Sequence, residues 1–234
     1  MFSSFSTIGA MNAKSIGSVM PTPLYYYTFN TSTISGTTIN VDTTNSTNTQ
    51  TLTLSSTAGL NTVSMKEGNQ CFSNGNKLYN AMGTSLSIPT ATGLTVSFWF
   101  NVIAGNGTGN CIIFGLGQST TSKIYVFLSP SSNQIICNTI GSNQIFNQSL
   151  TTGTWRHLCF TWVGTTHKSY INGVQMSYAT SSSVQLPDQI WTSLSVGKSV
   201  DNVLANSYAL IDCVRVYNTA LTASQIQSIY TAGN

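Results

Sequence analysis

Alternation of hydrophobic and polar positions is clearest over residues 155–174. Every second side chain from Leu158 to Trp162 is large and apolar, so these side chains share one face of a predicted strand. Residues 164–166 then provide a turn, and Asn172-Gly173 supplies the two positive-φ positions that a type I′ turn needs. The pattern predicts a three-stranded antiparallel meander, and its aromatic face, including Trp162, must be buried against a second sheet.

Further strands are predicted where short alternating or apolar runs are bounded by Gly, Pro, Asn or Ser. These runs lie at residues 24–30, 94–102, 111–116, 123–128, 134–140, 193–197 and 208–217. Asn74-Gly75 marks a second hairpin. The predicted helix begins after Thr222, which can form a capping box with Gln225. The elements together predict an all-β sandwich with a short C-terminal helix.

Several of these segments resemble the laminin-G-like, concanavalin A-like jelly-roll domains. Thr154-Trp155-Arg156-His157-Leu158, followed by Tyr170-Ile171-Asn172-Gly173, is similar to the Trp-x-His strand and the Asn-Gly turn of that family. Segments similar to its opening strand, its Ser-aromatic-Trp strand, and its closing strand with helix lie at residues 24–29, 94–100 and 211–222. The resemblance covers residues 24–230 and implies a two-sheet antiparallel jelly-roll sandwich.

Residues 1–23 differ in character from the rest of the chain. They combine small residues with scattered apolar ones and end at Pro21-Thr22-Pro23. We expect a docking arm here, followed by a laminin-G-like jelly-roll domain at residues 24–234. The apolar residues that would anchor the arm are Phe2, Phe5, Ile8, Met11 and Ile16. Because such an arm would fray alone, it is predicted to dock on another protein subunit of a larger assembly.

The composition is unusually poor in charge. Apolar residues make up 41% of the chain, but charged residues only 6%, against about 25% in ordinary domains. The net charge is +3 without a basic run, which argues against nucleic-acid binding. A surface of hydroxyl and amide side chains has weak long-range fields and little charge repulsion. Such a surface suits a subunit of an assembly or an extracellular adhesive module.

Cysteine usage and apolar runs bear on the cellular compartment. The chain has five cysteines and no C-x-x-C pair, and most lie within predicted strands. We therefore expect buried free thiols rather than a disulfide framework. No apolar run reaches the ~18 residues of a membrane span, and no compact signal-peptide core is present. The sequence is consistent with synthesis in a reducing cytosol.

Some relatives of this fold are glycosidases, which need two carboxylates about 5–5.5 Å or 6.5–9.5 Å apart. The five acidic residues are dispersed, and the closest two, Asp201 and Asp212, are eleven positions apart. No Glu-x-Asp-x-x-Glu pattern occurs. The sequence therefore predicts no catalytic residues and a protein that is not an enzyme.

The family resemblance implies a calcium site between the first long loop and the closing strand. Asp42 and Asn45 stand where that loop carries its Asp-x-Ser-Gly-Asn pattern, and Asp212 stands at the closing-strand acid. Calcium requires six to eight oxygen ligands, so two carboxylates would form a weak site. The favoured alternative is that Asp212 accepts backbone hydrogen bonds and Asp42 caps a turn. We expect no cofactor besides this calcium.

Carbohydrate binding would need an exposed aromatic side chain with amide or hydroxyl partners. Trp191, in a predicted loop beside Gln189, is the best candidate, and Asn106 in the Gly-rich loop is another. The remaining tryptophans are expected in the core.

Two functions remain from these observations. The first is a non-enzymatic structural or attachment protein, as a minor capsid, decoration or fibre component of a large virus particle, and hence located in the virion. The alternative is a secreted or cell-surface carbohydrate-binding adhesion module, calcium-dependent if the metal site forms. An export signal would favour the second, and neighbouring chains holding the arm would favour the first.

Overall fold

The computed structural model describes residues 20–56, 59–73, 81–84, 86–103, 111–118, 123–139, 142–181, 186, 188–200 and 208–233. The predicted arm residues Phe2, Phe5, Ile8, Met11 and Ile16, the Asn74-Gly75 hairpin and Asn106 lie outside these ranges. No helix within them is long and apolar enough to span a bilayer.

Strands dominate the described chain. The first ten are β1 (Tyr25–Tyr27), β2 (Ile34–Ser35), β3 (Thr38–Ile39), β4 (Leu52–Leu54), β5 (Leu60–Asn61), β6 (Cys71–Ser73), β7 (Ala81–Gly83), β8 (Ile88–Pro89), β9 (Leu94–Val102) and β10 (Cys111–Gly117). The others are β11 (Lys123–Ser129), β12 (Gln134–Thr139), β13 (Ser142–Asn147), β14 (Trp155–Val163), β15 (Thr166–Ile171), β16 (Val174–Gln175), β17 (Thr180–Ser181), β18 (Ile190–Trp191), β19 (Ser193–Val196) and β20 (Ala209–Tyr217). Short 3-10 turns occupy Thr31–Thr33 and Pro130–Ser132, and helix α1 spans Ala223–Ala232.

The strands form two large antiparallel sheets and one small one. The eight-stranded sheet has the order β16-β15-β14-β9-β20-β6-β5, with β1 also pairing β20. The ten-stranded sheet has the order β17-β13-β12-β11-β10-β19-β7-β4-β3-β2. Strands β8 and β18 pair separately. This arrangement confirms the predicted all-β jelly-roll sandwich with a C-terminal helix.

The main core lies between the two large sheets. Alternate side chains of each long strand point into it, as period-2 patterning requires. On β14 these are Leu158, Phe160 and Trp162, all buried in the main apolar cluster together with the inward side chains of β9 and β11. The predicted facing of this strand is confirmed.

A second apolar layer lies on the other side of the eight-stranded sheet. Helix α1 places Ile226 and Ile229 against Tyr170, Tyr217 and other outward side chains of that sheet. Thr222 and Gln225 form the predicted capping box, which satisfies helix N–H groups that have no intrahelical partner. The sheet is therefore covered on both faces.

The turn at Asn172-Gly173 has the predicted geometry. Both residues adopt positive φ, 49° for Asn172 and 78° for Gly173. The Asn172 side chain also accepts a hydrogen bond from the backbone N–H of His157 at 2.9 Å, so this turn is tied to β14. All five cysteines are buried free thiols, as predicted.

Candidate functional site

Trp191 does not form the exposed platform that the sequence suggested. It pairs with Ile88 in the β8–β18 ladder and is 0% exposed within the main core. Alternation along this short strand turns Ile190 outward, 50% exposed, and Trp191 inward. The expectation failed because Trp191 lies in a strand and not in a loop.

Gln189 is bound into the same connection. Its backbone exchanges hydrogen bonds with Thr90, and its side-chain nitrogen is buried without a hydrogen-bond partner among the described residues. Gln189 and Trp191 therefore do not combine into a surface site. Asn106 lies outside the described residues and stays a prediction.

Asp212 is buried on the helix side of the eight-stranded sheet. Its Oδ2 accepts hydrogen bonds from the backbone N–H groups of Lys66 at 3.2 Å and Glu67 at 3.1 Å, and its Oδ1 accepts one from Cys213 at 2.7 Å. Burial raises the pKa of this carboxyl to about 7, against the lowering effect of those hydrogen bonds. The arrangement matches the alternative that Asp212 accepts backbone hydrogen bonds.

Asp42 caps its own turn. Its Oδ1 accepts from the Thr44 backbone N–H at 3.0 Å, and its Oδ2 accepts from the Asn45 side-chain amide at 2.8 Å. In the described ranges, no three His, Cys, Asp or Glu side chains are grouped where they could hold a metal ion. Asp42 and Asp212 have separate hydrogen-bond partners, and calcium binding stays a prediction.

A polar cluster holds the loop at residues 62–70 over the eight-stranded sheet. Arg215 donates to the Tyr26 hydroxyl at 2.7 Å, and that hydroxyl donates to Glu67 at 3.0 Å. The ammonium group of Lys66 lies 4.0 Å from the centroid of the Trp99 ring. The cluster lies between the eight-stranded sheet and the layer formed by this loop and α1. Its contacts hold that layer on the sheet.

His157 belongs to the same covered face. One ring nitrogen, Nε2, lies 2.7 Å from the Ser97 hydroxyl on the neighbouring strand, and the ring packs against Trp99 and Tyr230. Burial, with the positive charges of Arg215 and Lys66, lowers the pKa of His157 to about 3. The neutral, fully buried ring braces adjacent strands.

The outward face of the ten-stranded sheet carries an apolar row that the sequence reasoning missed. Strand pairing aligns Ile112, Phe127, Ile136 and Ile145 across β10 to β13. Phe127 and Ile145 are half-buried, whereas the inward neighbours of each strand lie in the core. With about 4.8 Å between strands, the row extends for about 14 Å.

Polar side chains flank this row on both sides. On one side Tyr125 aligns with Asn138, which donates to Asn143 at 2.7 Å. On the other side Gln134 donates to Asn147 at 3.2 Å. An apolar and aromatic strip between two rows of amides can contact the apolar face of a ligand while hydrogen-bonding its polar edges. We call residues 125, 127, 134, 136, 138, 143, 145 and 147 the amide-flanked strip.

The row of aligned residues that contains Tyr125, Asn138 and Asn143 continues towards the opposite edge of the sheet. It passes through Gly115 and Ser195 to Met82 and Thr53. Met82 and Thr53 line a surface pocket of about 340 Å³, whose other walls are mainly threonines with Gln50. The turn at residues 197–200 separates the two regions, because Val200 packs over Gly115 and Gly117.

The sequence did contain a signal for the strip. At residues 123–128 and 134–138 large apolar side chains occupy both faces of the predicted strands. In a two-layer sandwich the outward face should be polar, so aromatic and aliphatic residues there mark a surface with another role.

Comparison with known proteins identifies the family. A laminin G family model, described as the concanavalin A-like lectin/glucanases superfamily, matches residues 73–227. The chain belongs to this superfamily. No curated protein matches the sequence.

Solved structures with the same fold include enzymes and binding proteins. Trypanosoma rangeli sialidase with the inhibitor DANA is 13% identical, with a TM-score of 0.65 over 92% of this chain and 34% of the enzyme. A botulinum neurotoxin type C structure, whose cell entry depends on two ganglioside molecules, is 10% identical, with a TM-score of 0.65 over 91% of this chain and 52% of the toxin. A heptameric pentraxin from Limulus polyphemus is 15% identical, with a TM-score of 0.51 over 64% of this chain and 75% of the pentraxin. These likenesses show the fold.

The sialidase neighbours correct one sequence-based inference. The dispersed acids led to the prediction that the protein is not an enzyme, but this fold is part of sialidase chains. The chain spans about a third of the length of those sialidases, so a domain of this kind can be one part of an enzyme. The prediction that the protein is not an enzyme, which was made from the positions of its acidic residues, is therefore wrong.

Proposed function

We propose that this chain is a carbohydrate-binding domain and that the amide-flanked strip binds the glycan. The observation that carries the proposal is that the row of Phe127 lies between two pairs of amide side chains, with Tyr125 in line with one of the pairs. Sugars have apolar C–H faces and polar hydroxyl edges, and such a strip complements both.

The chemistry of the strip favours hydroxyl-rich ligands. Amide groups both donate and accept hydrogen bonds, so Asn138 and Asn143 can serve adjacent hydroxyls together. Aromatic side chains supply contact area at low entropic cost. The ammonium group of Lys123 lies 5.8 Å from the Tyr125 ring centroid, so an acidic sugar bound there would also meet a positive charge.

The related structures support this assignment by their ligands. The neurotoxin interacts with gangliosides, and one Trypanosoma rangeli sialidase structure contains 2,3-difluorosialic acid. We infer that the present domain serves attachment to glycans. The domain itself lies at a cell surface or on a particle that binds such a surface.

A glycan array probed with the purified protein tests the proposal. We expect binding to sialylated or neutral oligosaccharides, and Tyr125→Ala and Phe127→Ala should each weaken it by about tenfold, as loss of a central aromatic contact does. Val174→Ala serves as the control, because Val174 is 66% exposed on β16 of the other sheet. Binding that survives both aromatic substitutions, or no binding to any glycan, would refute the proposal.

The same array measured with calcium and with chelator tests the calcium hypothesis. If Asp42 or Asp212 holds a calcium ion needed for recognition, chelator should abolish binding and lower the melting temperature. Equal binding and equal melting in both conditions would remove calcium from the proposal and leave the strip as the site.

A further inference from the structure

A pocket of about 360 Å³ opens on the helix side of the eight-stranded sheet, at the end of that sheet away from α1's cap. Its walls include Asn61 at the end of β5 and Val63 from the following loop, Asn101 on β9 and Ile103 just after it, and Leu210 from β20. Its volume falls within the range of small-molecule sites. The pocket lies on the opposite sheet from the amide-flanked strip.

Asn101 lines this pocket and carries a buried, unsatisfied acceptor. The residue is 3% exposed, and its Oδ1 has no hydrogen-bond partner among the described residues. Asn101 is aligned between Trp155 on β14 and Leu210 on β20, so strands on both sides fix its position. Buried polar atoms are normally paired, and an orphaned one in a cavity wall indicates a missing ligand or water.

Two neighbouring oxygens of the wall are already hydrogen-bonded. The Asn61 side-chain oxygen accepts from the backbone N–H groups of Val63 at 2.9 Å and Ser64 at 3.0 Å. The Ser64 carbonyl accepts from the Cys71 thiol at 3.1 Å. Asn101 Oδ1 has no such partner among the described residues, and it calls for one N–H or O–H donor.

The rest of the wall restricts the ligand further. None of the described lining residues carries a charge, so an ionic ligand would lose its hydration without compensation. Val63, Ile103 and Leu210 offer apolar surface suited to a methyl group. An acetamido group combines one N–H donor with a methyl group and no charge.

We propose that this pocket binds an acetamido group, with its N–H donated to Asn101 Oδ1 and its methyl group against the apolar wall. The group can come from an N-acetylated sugar or from an acetylated amine of a peptide. The proposal stands independently of glycan binding at the amide-flanked strip, because the two sites share no residue.

Titration of ¹⁵N-labelled protein, followed by NMR, tests the proposal. The probes are N-acetylglucosamine and Nε-acetyl-lysine amide, and the matched controls are glucose and lysine amide. We expect the acetylated probes to shift the Asn101 side-chain signal and the backbone signals of Ile103 and of Gly153, which also lines the pocket, while the controls do not. Whichever acetylated probe shifts these signals identifies the source of the acetamido group.

Two valine variants keep the test independent of folding. Val63 is 88% exposed, so Val63→Trp should cover the pocket mouth without disturbing the core and weaken binding by about tenfold or more. Val174→Trp, at a distant exposed position, should leave the titration unchanged, and so should Tyr125→Ala. Absence of shifts with both acetylated probes, equal shifts with glucose or lysine amide, or unchanged affinity in Val63→Trp would each overturn the proposal.

Discussion

Buried titratable side chains on both faces of the eight-stranded sheet have pKa values shifted in favour of their neutral forms. Burial lowers the pKa of His167 to about 3, where the ring stacks on Phe160 and Trp162 inside the sandwich. On the helix side of the sheet, burial lowers the pKa of His157 to about 3 and raises the pKa of Asp212 to about 7. These residues make stability depend on pH in opposite senses.

The two histidines should make the protein sensitive to acid. In the folded protein their pKa values lie below the ordinary 6.5. The contribution of the neutral histidines to folding stability is therefore fully present above pH 6.5 and is lost as the pH falls towards 3. Each group can contribute a slope of up to about 1.4 kcal/mol per pH unit in that window. Urea unfolding between pH 3 and pH 8 should show His167→Phe to be less acid-sensitive than the natural chain.

Asp212 supplies a control of opposite sign. Its folded pKa is raised from 3.8 to about 7, so its contribution is fully present below pH 3.8 and is lost as the pH rises through 7. Asp212→Asn should therefore remove the decrease in the free energy of unfolding that this carboxyl causes between pH 4 and pH 7. Unfolding curves for His167→Phe or Asp212→Asn that run parallel to the natural protein at every pH would contradict these assignments.

At the scale of the element, β20 departs from simple alternation. Its pairing with β9 shifts register between Asp212 and Arg215, and Cys213 has a φ of 54°. An extra residue in one strand of a pair bends that strand and re-aims its side chains. As a result Cys213 packs on the helix side with Trp99, while Val214 returns to the main core.

The central hairpin also depends on a positive-φ residue. Asn172→Ala should lower the free energy of unfolding by about 1–3 kcal/mol, because alanine is disfavoured at φ 49° and the hydrogen bond to the His157 N–H is lost. Asn172→Gly separates the two effects, since glycine keeps the backbone conformation and loses only the bond. Equal stability of Asn172→Ala and the natural chain in denaturant unfolding would rule out this role for the turn.

At the scale of the whole molecule, the described chain already closes its own core. Both faces of the eight-stranded sheet are covered, one by the other sheet and one by α1. The N-terminal arm is therefore not required to complete the apolar interior that the structure describes. Its predicted docking on another subunit, and with it a virion location, stays a prediction.

Deletion of residues 1–20 tests that prediction. We expect the truncated chain to unfold cooperatively with nearly unchanged stability, while the full chain forms a larger species by light scattering. Ordering an arm costs about 1–2 kcal/mol per residue, which only burial of most of its apolar anchors can offset. Replacement of Phe2, Phe5 and Ile8 by serine is the matched control. A truncated chain that fails to fold, or a full chain that is monomeric, would count against an assembly arm.

The sequence by itself determined the elements whose signals are local. Strict alternation placed β9 and β14 and predicted that Trp162 faces the core, because side chains of a strand alternate regardless of its neighbours. Asn172-Gly173 and the Thr222 capping box were equally readable, since each depends on a few adjacent residues.

Only the tertiary structure decided the sites. Burial of Trp191 depends on pairing with Ile88, about a hundred residues away, and the strip around Phe127 exists because three strands align in register. The open acceptor of Asn101 becomes visible only when residues 61–64 close a wall over β9. These features arise from contacts between distant segments, and periodicity along the chain reports which face a residue occupies but not what lies against that face.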